Sequence, residues 1–416
     1  MRRTLLFIPH EIAGLPVFGI GWILILFAIF VVVRLLVARR SGQSFGELIA
    51  SESILWGIVA AAIVFVLPMV ELKNLEGEPV GVAVRGYGVF LLIAVVSSVA
   101  LAAIRAKRSG MNPETIYSLA PWVFVAGIVG ARVFYVVQYF ENFVGETPGQ
   151  TVRNMLMFNE GGLVVYGSFI GGFLAAVGFV YWRKLPLLKL GDIIVPCMFL
   201  GVFFGRLGCL MNGCCYGGRC DDGVMALHFP PGSRVYEDQA ASGELIGLRV
   251  DEETGRILAV EEDSLAAQRG IEEGQIFRGA YPVRPRADSE ALKLPAEDVP
   301  RPWVVEVSGR EYPFRPDELP PKALPVRAAQ IISSVSALTL CIALCFLSRW
   351  KFRDGTLMML GFASYAVLRF VLEIVRVDEA GQFDTALTIS QWVSIVVLIC
   401  SVAGMAWIQF TRREPA

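Results

Sequence analysis

Five ionisable side chains fall inside or at the ends of long apolar stretches: Arg132, Arg206, Arg369, Glu373 and Arg376. Placing a charge in an apolar segment costs free energy, so such residues usually mark a polar cavity. Guanidinium groups stay charged when partly buried and bind phosphate through two parallel hydrogen bonds. The set therefore predicts a site for an anionic ligand. The alternative is a structural ion pair together with an arginine at the membrane interface.

Three of these residues are spaced along one segment, YAVLRFVLEIVR, at i, i+4 and i+7. This spacing places Arg369, Glu373 and Arg376 on one face of a helix. The segment is therefore predicted to present two positive charges and one negative charge to the same side.

Two glycine-rich segments accompany the charged residues: EGGLVVYGSFIGG at 160–172 and GRLGCLMNGCCYGG at 205–218. Glycine allows two backbones, or a backbone and a lipid headgroup, to approach closely. Tyr166 lies among the glycines of the first segment. It is read either as part of the site or as an aromatic residue at the membrane interface.

Apolar blocks of about 20 residues, the length that crosses a bilayer as a helix, must position these side chains. The 416 residues are 55% hydrophobic and 18% charged, against about 25% charged residues in an ordinary soluble protein. The net charge of −1 gives no indication of a nucleic-acid partner. Nine spans are predicted, at 16–38, 53–70, 86–104, 118–140, 161–182, 189–210, 326–348, 355–375 and 389–410.

Basic residues after alternate spans predict the orientation of the chain in the membrane. With nine spans, five basic groups fall on one side: Arg39-Arg40, Arg105/Lys107/Arg108, Arg183/Lys184, Arg349/Lys351/Arg353 and Arg412-Arg413. The positive-inside rule makes that side the cytoplasm. The N-terminus is then outside, although Arg2-Arg3 disfavours this, and the first block is read as a retained anchor rather than a signal peptide.

The polar segment 211–325 interrupts the pattern, and the orientation places it outside the membrane. Its runs 256–260 and 303–308 are rich in β-branched residues and predict strands. The stretch ILAVEEDSLAAQRGIEEGQIF resembles the middle of a PDZ domain, with IGLRV as its carboxylate-binding loop and VVEVSGREYPF as its closing hairpin. A peptide ligand is therefore one expectation, and a structured arm without peptide binding is the other.

Seven motifs follow one another along the chain: RGYG at 85–88, GARVFYV from 130, GGLVVYGSFIGG from 161, GRLGCLMNGCCYG from 205, HFPPGSR at 228–234, VRAAQ at 326–330 and YAVLRFVLEIVRVDE from 365. Each is weak alone. In this order and topology they resemble the prolipoprotein diacylglyceryl transferase family, from about residue 80 to the end.

Together with the apolar and β-rich patterns, the resemblance gives an all-α polytopic membrane protein with about nine transmembrane helices, seven of them forming the family core, and a small β-rich extracytoplasmic insert. The first two helices and the insert are extra to the family. Four segments are expected. Residues 1–75 hold two extra N-terminal helices, 80–235 the first part of the transferase core, 240–320 the PDZ-like insert, and 325–416 the last three core helices.

The family transfers the diacylglyceryl group of phosphatidylglycerol to the lipobox cysteine of a prolipoprotein. A thioether forms and glycerol-1-phosphate leaves, without a cofactor or a metal. The resemblance therefore implies the bacterial cytoplasmic (inner) membrane, with the active site facing the extracytoplasmic side. The expected partners are phosphatidylglycerol, other membrane lipids and prolipoprotein lipobox peptides.

The resemblance also implies roles for individual residues. Arg206 and Arg369 would hold the phosphate, and Glu373 would be the acidic partner of Arg369. Tyr166 takes the position of a catalytic histidine or tyrosine; a neutral tyrosine is a poor base near pH 7, so a proton relay or an orienting role is the hypothesis. Substrate-binding residues are expected at Tyr87, Arg132, Gly167, Asn212, Gly217, Gln330 and Arg376.

The sequence departs from the family pattern at the signature that contains Arg206. The family reads Gly-Arg-x-Gly-Asn-x-x-Asn-Gly-Glu, whereas this chain has Cys209 for the first Asn and Cys214 for the Glu. The substrate-side motif His-Pro-x-Gln is also altered, because Gln330 is preceded by Arg327-Ala-Ala. Loss of an amide and a carboxylate changes the hydrogen bonding expected around Arg206.

The replacements leave four cysteines within 12 residues: Cys209, Cys214, Cys215 and Cys220. On the oxidising side of the membrane this favours a disulfide from Cys214 or Cys215 to Cys220. A metal site is less favoured, because the spacing lacks Cys-x-x-Cys and only one histidine is near. A redox-active or acyl-carrying thiol is a further reading. The other cysteines, Cys197, Cys341, Cys345 and Cys400, are read as packing residues.

Three functions therefore compete: a lipid-modifying transferase, a non-catalytic lipid- or lipoprotein-binding paralogue, and a membrane thiol–disulfide oxidoreductase. The oxidoreductase predicts that Cys→Ser changes abolish function and that Arg369→Ala does not. The transferase predicts the opposite. Phospholipid binding without product would indicate the paralogue.

Overall fold

The computed structural model describes residues 4–40, 45–145, 147–156, 162, 164–223, 225–251, 253–285, 293–295, 298–375, 385 and 387–411. Within these ranges, seven helices are long and apolar enough to cross a membrane. They coincide with seven of the nine predicted spans. The prediction of a polytopic, mostly helical membrane protein is therefore confirmed.

The predicted count of nine spans is not confirmed. The other two predictions, 53–70 and 161–182, coincide with shorter apolar helices, Leu55–Val70 and Tyr166–Trp182. The first contains a π-helical turn, Ala62–Val66. The second begins late because Gly162 has a left-handed φ of +87° and Val164 is extended, so neither can belong to the helix.

The helices in the described part of the chain are numbered in order. They are α1 Trp22–Arg40, α2 Phe45–Ala61, α3 Leu67–Val70, α4 Gly86–Arg108, α5 Glu114–Gln138, α6 Pro148–Leu156, α7 Val165–Trp182, α8 Leu187–Asn212, α9 Arg234–Ala241, α10 Leu265–Gln268, α11 Ala329–Leu347, α12 Thr356–Val375 and α13 Ile389–Thr411.

The strands in the same part of the chain are short. They are β1 Thr4–Pro9, β2 Glu11–Ile12, β3 Leu15–Pro16, β4 Leu72–Lys73, β5 Pro79–Arg85, β6 Ala226–Leu227, β7 Leu248–Val250, β8 Ile257–Val260, β9 Phe277–Pro282, β10 Trp303–Val307, β11 Arg310–Phe314 and β12 Val326–Arg327.

The chain divides into two compact units. The first consists of Met1–Val89 and Gly208–Ala328, and the second of Phe90–Leu207 and Ala329–Ala416. These boundaries differ from those of the four predicted segments, 1–75, 80–235, 240–320 and 325–416. The four-segment organisation stays a prediction.

The first unit begins with strands that the sequence did not predict. β5 lies between β1 and β4 in a three-stranded antiparallel sheet. β2 and β3 form a hairpin, and the indole of Trp22 donates to the Ile12 carbonyl at 2.9 Å. Because residues up to Pro16 hydrogen bond as strands, the first apolar helix begins at Trp22 rather than at residue 16.

The remaining strands of the first unit share one hydrophobic core. β7 pairs with β8, β10 lies between β9 and β11, and β6 pairs with β12. The side chains of Phe229, Val235, Trp303 and Phe314 are buried in this core. β7 to β11 lie in the segment predicted to be a small β-rich domain, and its resemblance to a PDZ domain stays a prediction.

The second unit is helical and holds two hydrophobic clusters. One joins residues of α4, α5, α7 and α8, and the other joins residues of α8, α11 and α12. α8 contributes to both clusters, so it is the central helix of this unit. Arg206 therefore lies on the helix that connects the two clusters.

Candidate functional site

Arg369 and Glu373 form an ion pair on α12, because their i, i+4 spacing stacks the two side chains on one helix face. Glu373 is buried, at 4% exposure. Its second carboxylate oxygen accepts a hydrogen bond from the Thr388 hydroxyl at 3.3 Å. The Arg369 guanidinium donates through a second nitrogen to the Ser390 hydroxyl at 2.8 Å. The pair is thus neutralised internally and tied to the start of α13.

The polar residues at the start of α13 were missed by sequence reasoning. Thr388, Ser390 and Gln391 are all buried. The Gln391 side chain accepts from the Thr388 amide at 3.0 Å, and the Gln391 amide donates back to the Thr388 hydroxyl. This reciprocal arrangement has the form of a capping box. A Thr-x-x-Gln sequence immediately before an apolar run was the available signal.

α8 and α12 run parallel to each other in a fixed register. The Asp192 carboxylate accepts from the Gly355 and Met358 amides at 2.7 Å each. Farther along both helices, the rings of Phe199 and Tyr365 lie 5.8 Å apart. Both contacts lie within the second unit. The residue numbers increase in the same direction along both helices, which shows that the helices are parallel.

The register relates the two arginines that the sequence singled out. Arg206 and Arg369 each lie 14 residues beyond the Asp192–Gly355 contact. At about 1.5 Å per helical residue, both stand about 21 Å above that contact. We infer that the two guanidinium groups lie at a similar height along the parallel helices α8 and α12.

Arg206 differs from Arg369 in its surroundings. Its side chain is half-buried near the end of α8. Across the described ranges, it has neither a carboxylate partner nor a hydrogen bond. A guanidinium with five donors in a half-buried position can bind an anion without first breaking an ion pair.

Arg132 is buried at 6% exposure, and its donors bind backbone carbonyls. Its guanidinium donates to the carbonyls of Met155, Asn154 and Gly162 at 2.9, 3.3 and 3.2 Å. It also packs over the Phe143 ring at 5.2 Å. Arg132 therefore fixes the end of α6 and the approach to α7, and this positioning role was not predicted.

Glycines allow α5 and α7 to pack with their backbones in contact. A Cβ on Gly130 would lie 2.3 Å from the Gly167 carbonyl oxygen, and a Cβ on Gly171 would lie 2.3 Å from that of Ala126. Only hydrogen fits at these positions. The close approach expected from the glycine-rich segment is therefore present, and it joins two helices.

Tyr166 lies in the first turn of α7 and is 54% exposed. Its hydroxyl makes no hydrogen bond to the residues that the structure describes. Gly167, the next residue, is buried in the contact with α5. The phenol thus projects from a rigid helix pair, which fixes where a substrate would meet it.

Tyr87 and Asn212 belong to the first unit, together with three cysteines. Tyr87 is 42% exposed in the first turn of α4. It lies close enough to Cys209, Cys214 and Cys215 to interact electrostatically with all three. Asn212, the last residue of α8, lies beside the Cys214 thiol. The signature region thus forms a small polar cluster rich in sulfur.

The grouping of the cysteines differs from the expected one. The sulfurs of Cys209, Cys214 and Cys215 lie within 4.8 Å of one another, and Cys220 is outside this group. All four are thiols in the structure, so the disulfide to Cys220 stays a prediction.

The remaining predicted residues have structural contacts or lie outside the described ranges. The Gly217 amide donates to the Arg327 carbonyl at 3.0 Å, extending the pairing around β12. Gln330 is 1% exposed in the first turn of α11. Arg376 lies outside the described residues, so the third member of the predicted α12 face has no structural account.

Arg105 is a further residue whose role the sequence did not reveal. Pro196 has no N–H, so the Asp192 carbonyl lacks its partner in α8. The Arg105 guanidinium on α4 donates to this carbonyl at 2.9 Å and to that of Ile193 at 3.0 Å. It also donates to the Ser348 hydroxyl at 3.1 Å, beyond the end of α11. One arginine thus joins three segments of the second unit.

Comparisons with known proteins agree on one family. Residues 78–407 match the family described as "Prolipoprotein diacylglyceryl transferase". The chain is 45% identical to "Phosphatidylglycerol--prolipoprotein diacylglyceryl transferase" of Rhodopirellula baltica, over 97% of this chain and 89% of that protein. It is 31% identical to the protein of the same name from Clostridium tetani, over 38% of this chain and 62% of that protein. A protein of that name from Deinococcus radiodurans is 27% identical, over 36% of this chain and 45% of its own length.

Proposed function

The chain belongs to the prolipoprotein diacylglyceryl transferase family, and from this premise we propose that it transfers the diacylglyceryl group of phosphatidylglycerol to the lipobox cysteine of prolipoproteins. The cysteine sulfur forms a bond to the glyceryl carbon, and the bond from that carbon to the phosphate oxygen breaks. Glycerol-1-phosphate leaves with the electron pair, and the thiol proton passes to a base. Negative charge therefore grows on the phosphate as the reaction proceeds.

The observation that carries this proposal is the half-buried Arg206, which has no partner among the described residues. A fixed positive charge where negative charge develops stabilises the transition state. Arg206 is assigned to the leaving phosphate, because its donors are not engaged by a carboxylate. The family signature around it supports this assignment, with Cys209 and Cys214 as departures.

Arg369 is assigned to the same phosphate, with Glu373 orienting it. Among the residues that the structure describes, none engages the Arg369 Nε–H, so this donor is open to a ligand, and Arg369 lies at a height similar to that of Arg206 along the parallel helices. The Ser390 and Thr388 contacts hold the pair in one geometry. Arg369 would thus orient the phosphate more than neutralise it, because Glu373 already compensates the arginine's charge.

The other residues are assigned to substrate placement. Tyr166 would orient the thiol or relay its proton, and Tyr87 would line the lipid site. Gly167 would provide close approach at α7. Asn212, Gly217, Gln330, Arg132 and Arg376 complete the proposed set, with Arg132 acting through the loop before α7.

We also propose the membrane arrangement. The two shorter apolar helices join the seven long ones to give nine spans, with seven in the family core and two extra at the N-terminus. The basic groups then face the cytoplasm, and the segment 211–325 and the active site face the outside of a bacterial inner membrane. The insert 240–320 would be PDZ-like and would take a peptide ligand.

The test is transfer of labelled diacylglyceryl from phosphatidylglycerol to a lipobox peptide by the purified full-length protein. Arg206→Ala should lower the transfer rate by about 10²- to 10³-fold, the loss typical for a group that stabilises developing negative charge. Arg369→Ala should also lower it. Arg301→Ala, an exposed arginine of the first unit, is the matched control and should retain full transfer.

Two other outcomes would replace the proposal. Bound phosphatidylglycerol without any product would indicate a lipid- or lipoprotein-binding paralogue. Loss of function on Cys→Ser changes, with Arg369→Ala fully active, would indicate a thiol–disulfide oxidoreductase.

A further inference from the structure

Three thiols of the first unit converge at the end of α8. The sulfurs of Cys209, Cys214 and Cys215 lie within 4.8 Å of one another, and all three residues are half-buried. Three sulfurs that surround one ion with bonds of about 2.3 Å stand about 4 Å apart. The cluster is therefore already close to the geometry of a single coordinated ion.

The backbone after α8 produces this convergence. Gly213 and Cys215 both have left-handed φ values, +69° and +57°. The turn they form brings the Cys214 amide back to the Cys209 carbonyl at 3.1 Å. A left-handed conformation is uncommon for a residue with a Cβ, so the Cys215 thiol is held in the cluster against its local preference.

Packing holds the turn in place. A Cβ on Gly213 would lie 2.9 Å from the Ser233 Cβ and 3.2 Å from the Phe229 ring. Both residues belong to the part of the first unit around α9, and Phe229 is 1% exposed. The thiols are therefore positioned by the core of the unit and not by a loose loop.

The donor set determines which ions fit. Among the described residues, no histidine or carboxylate joins the three sulfurs. An all-thiol site favours soft ions such as Cu(I) and Zn(II) over Mg²⁺ and Ca²⁺, which take oxygen ligands. The Asn212 side chain lies beside the Cys214 sulfur, where outer groups stand around metal-bound thiolates.

We propose that Cys209, Cys214 and Cys215 bind one thiophilic cation, Cu(I) or Zn(II), as three thiolates. Three thiol protons are released to solvent on binding, and no electron is transferred. Cu(I) would complete a trigonal site with three sulfurs, whereas Zn(II) would keep a fourth position for water. The proposal does not depend on the transferase reaction.

The experiment uses the reduced full-length protein, handled without oxygen and titrated separately with Cu(I) and Zn(II) against a chromophoric chelator of each ion. Wild type should hold one equivalent of one ion after desalting and should show a thiolate charge-transfer band if that ion is Cu(I). Cys209→Ser, Cys214→Ser and Cys215→Ser should each weaken binding at least tenfold. Cys220→Ser, a nearby thiol outside the cluster, should bind like wild type.

A second measurement needs no variant. Mass mapping of alkylated cysteines in the wild type, with and without the ion, should show protection of Cys209, Cys214 and Cys215 but not of Cys220. Equal alkylation in both samples would overturn the proposal. So would a disulfide within the cluster that is already present when thiols are trapped in intact cells.

Discussion

The carboxylate of Asp192 on α8 caps the start of α12 by accepting the Gly355 amide at 2.7 Å. The cap comes from a neighbouring helix, not from the residue preceding α12. It therefore fixes the helix terminus and the relative height of two helices in a single interaction. The relative height of the two helices in turn sets Arg206 and Arg369 at a similar level along α8 and α12.

Asp192→Ala should destabilise the second unit. It leaves the first-turn amides of α12 without their acceptor, a loss of about 1–2 kcal/mol for a helix cap. The thermal unfolding midpoint of the full chain in detergent measures the effect. Asp354→Ala, an exposed acid beside the same helix start, should leave the midpoint unchanged. Equal shifts in both variants would contradict the cap.

Glu373→Ala should be more destabilising than Asp192→Ala. It removes the buried member of the pair and leaves the half-buried Arg369 charge uncompensated; breaking a fully buried pair costs about 3–5 kcal/mol, and we expect the loss at the lower end of that range. The double change of Arg369 and Glu373 to alanine should cost less than the sum of the two single changes. Unfolding free energies for the complete double-mutant cycle check this, and strict additivity would show that the two side chains do not interact.

Gly167→Ala should loosen α5 from α7. Its Cβ would lie 2.3 Å from the Gly130 carbonyl oxygen, and overpacking costs about 1–3 kcal/mol. Gly178→Ala is the matched control on the same helix, because a Cβ there meets nothing within 4 Å. The unfolding midpoint should fall for the first variant and stay level or rise for the second.

Tyr166→Phe should lower the transfer rate while leaving phosphatidylglycerol binding intact. Positioned proton transfer contributes about 10²- to 10⁴-fold, and a relay through the hydroxyl should lose the lower end of that range. Tyr181→Phe, another exposed tyrosine of α7, is the control. Wild-type rates in the Tyr166 variant would remove this residue from the mechanism.

The first unit should lose stability in strong base. Burial raises the pKa of Tyr236 to about 12, and its hydroxyl donates to the Pro320 carbonyl at 3.0 Å. The folded state holds this proton more tightly than the unfolded state, whose tyrosine has the ordinary pKa of 10.0. The contribution is therefore complete below pH 10 and is lost as the pH rises through 12.

This pH dependence is measured as the unfolding midpoint between pH 9 and 12. Tyr236→Phe should lower the midpoint at pH 9, because it loses the hydrogen bond, and should flatten the decline toward pH 12. Tyr312→Phe, in the same unit, should keep the wild-type slope. An unchanged slope in the Tyr236 variant would show that another group controls the transition.

Local patterns in the sequence predicted the features that depend on near neighbours. Apolar length predicted the long helices, and the i, i+4 spacing predicted that Arg369 and Glu373 share a face. The glycine-rich segment predicted a close approach. The long helices and the shared face depend on residues within one or two turns, for which helix geometry is fixed, whereas the glycines did not indicate which helix they would approach.

Contacts between distant segments were not predictable in the same way. The Asp192 cap and the Ser390 contact each join residues that no local pattern connects. The cysteine grouping depends on two left-handed residues, whereas the sequence favoured a disulfide to Cys220 because the cysteines were expected on the oxidising side of the membrane. The strand β1 was hidden because its partner, β5, lies more than 70 residues later in the chain.

The single side chain of Arg105 has two roles. It belongs to a basic group from which the orientation of the chain was inferred, and its guanidinium also occupies the carbonyls near Pro196. With the orientation proposed above, the same side chain would serve as a positive-inside signal and would complete the hydrogen bonding of α8. An attempt to invert the proposed orientation by moving positive charges would therefore have to leave Arg105 in place, because its removal would leave the Asp192 and Ile193 carbonyls without this guanidinium donor.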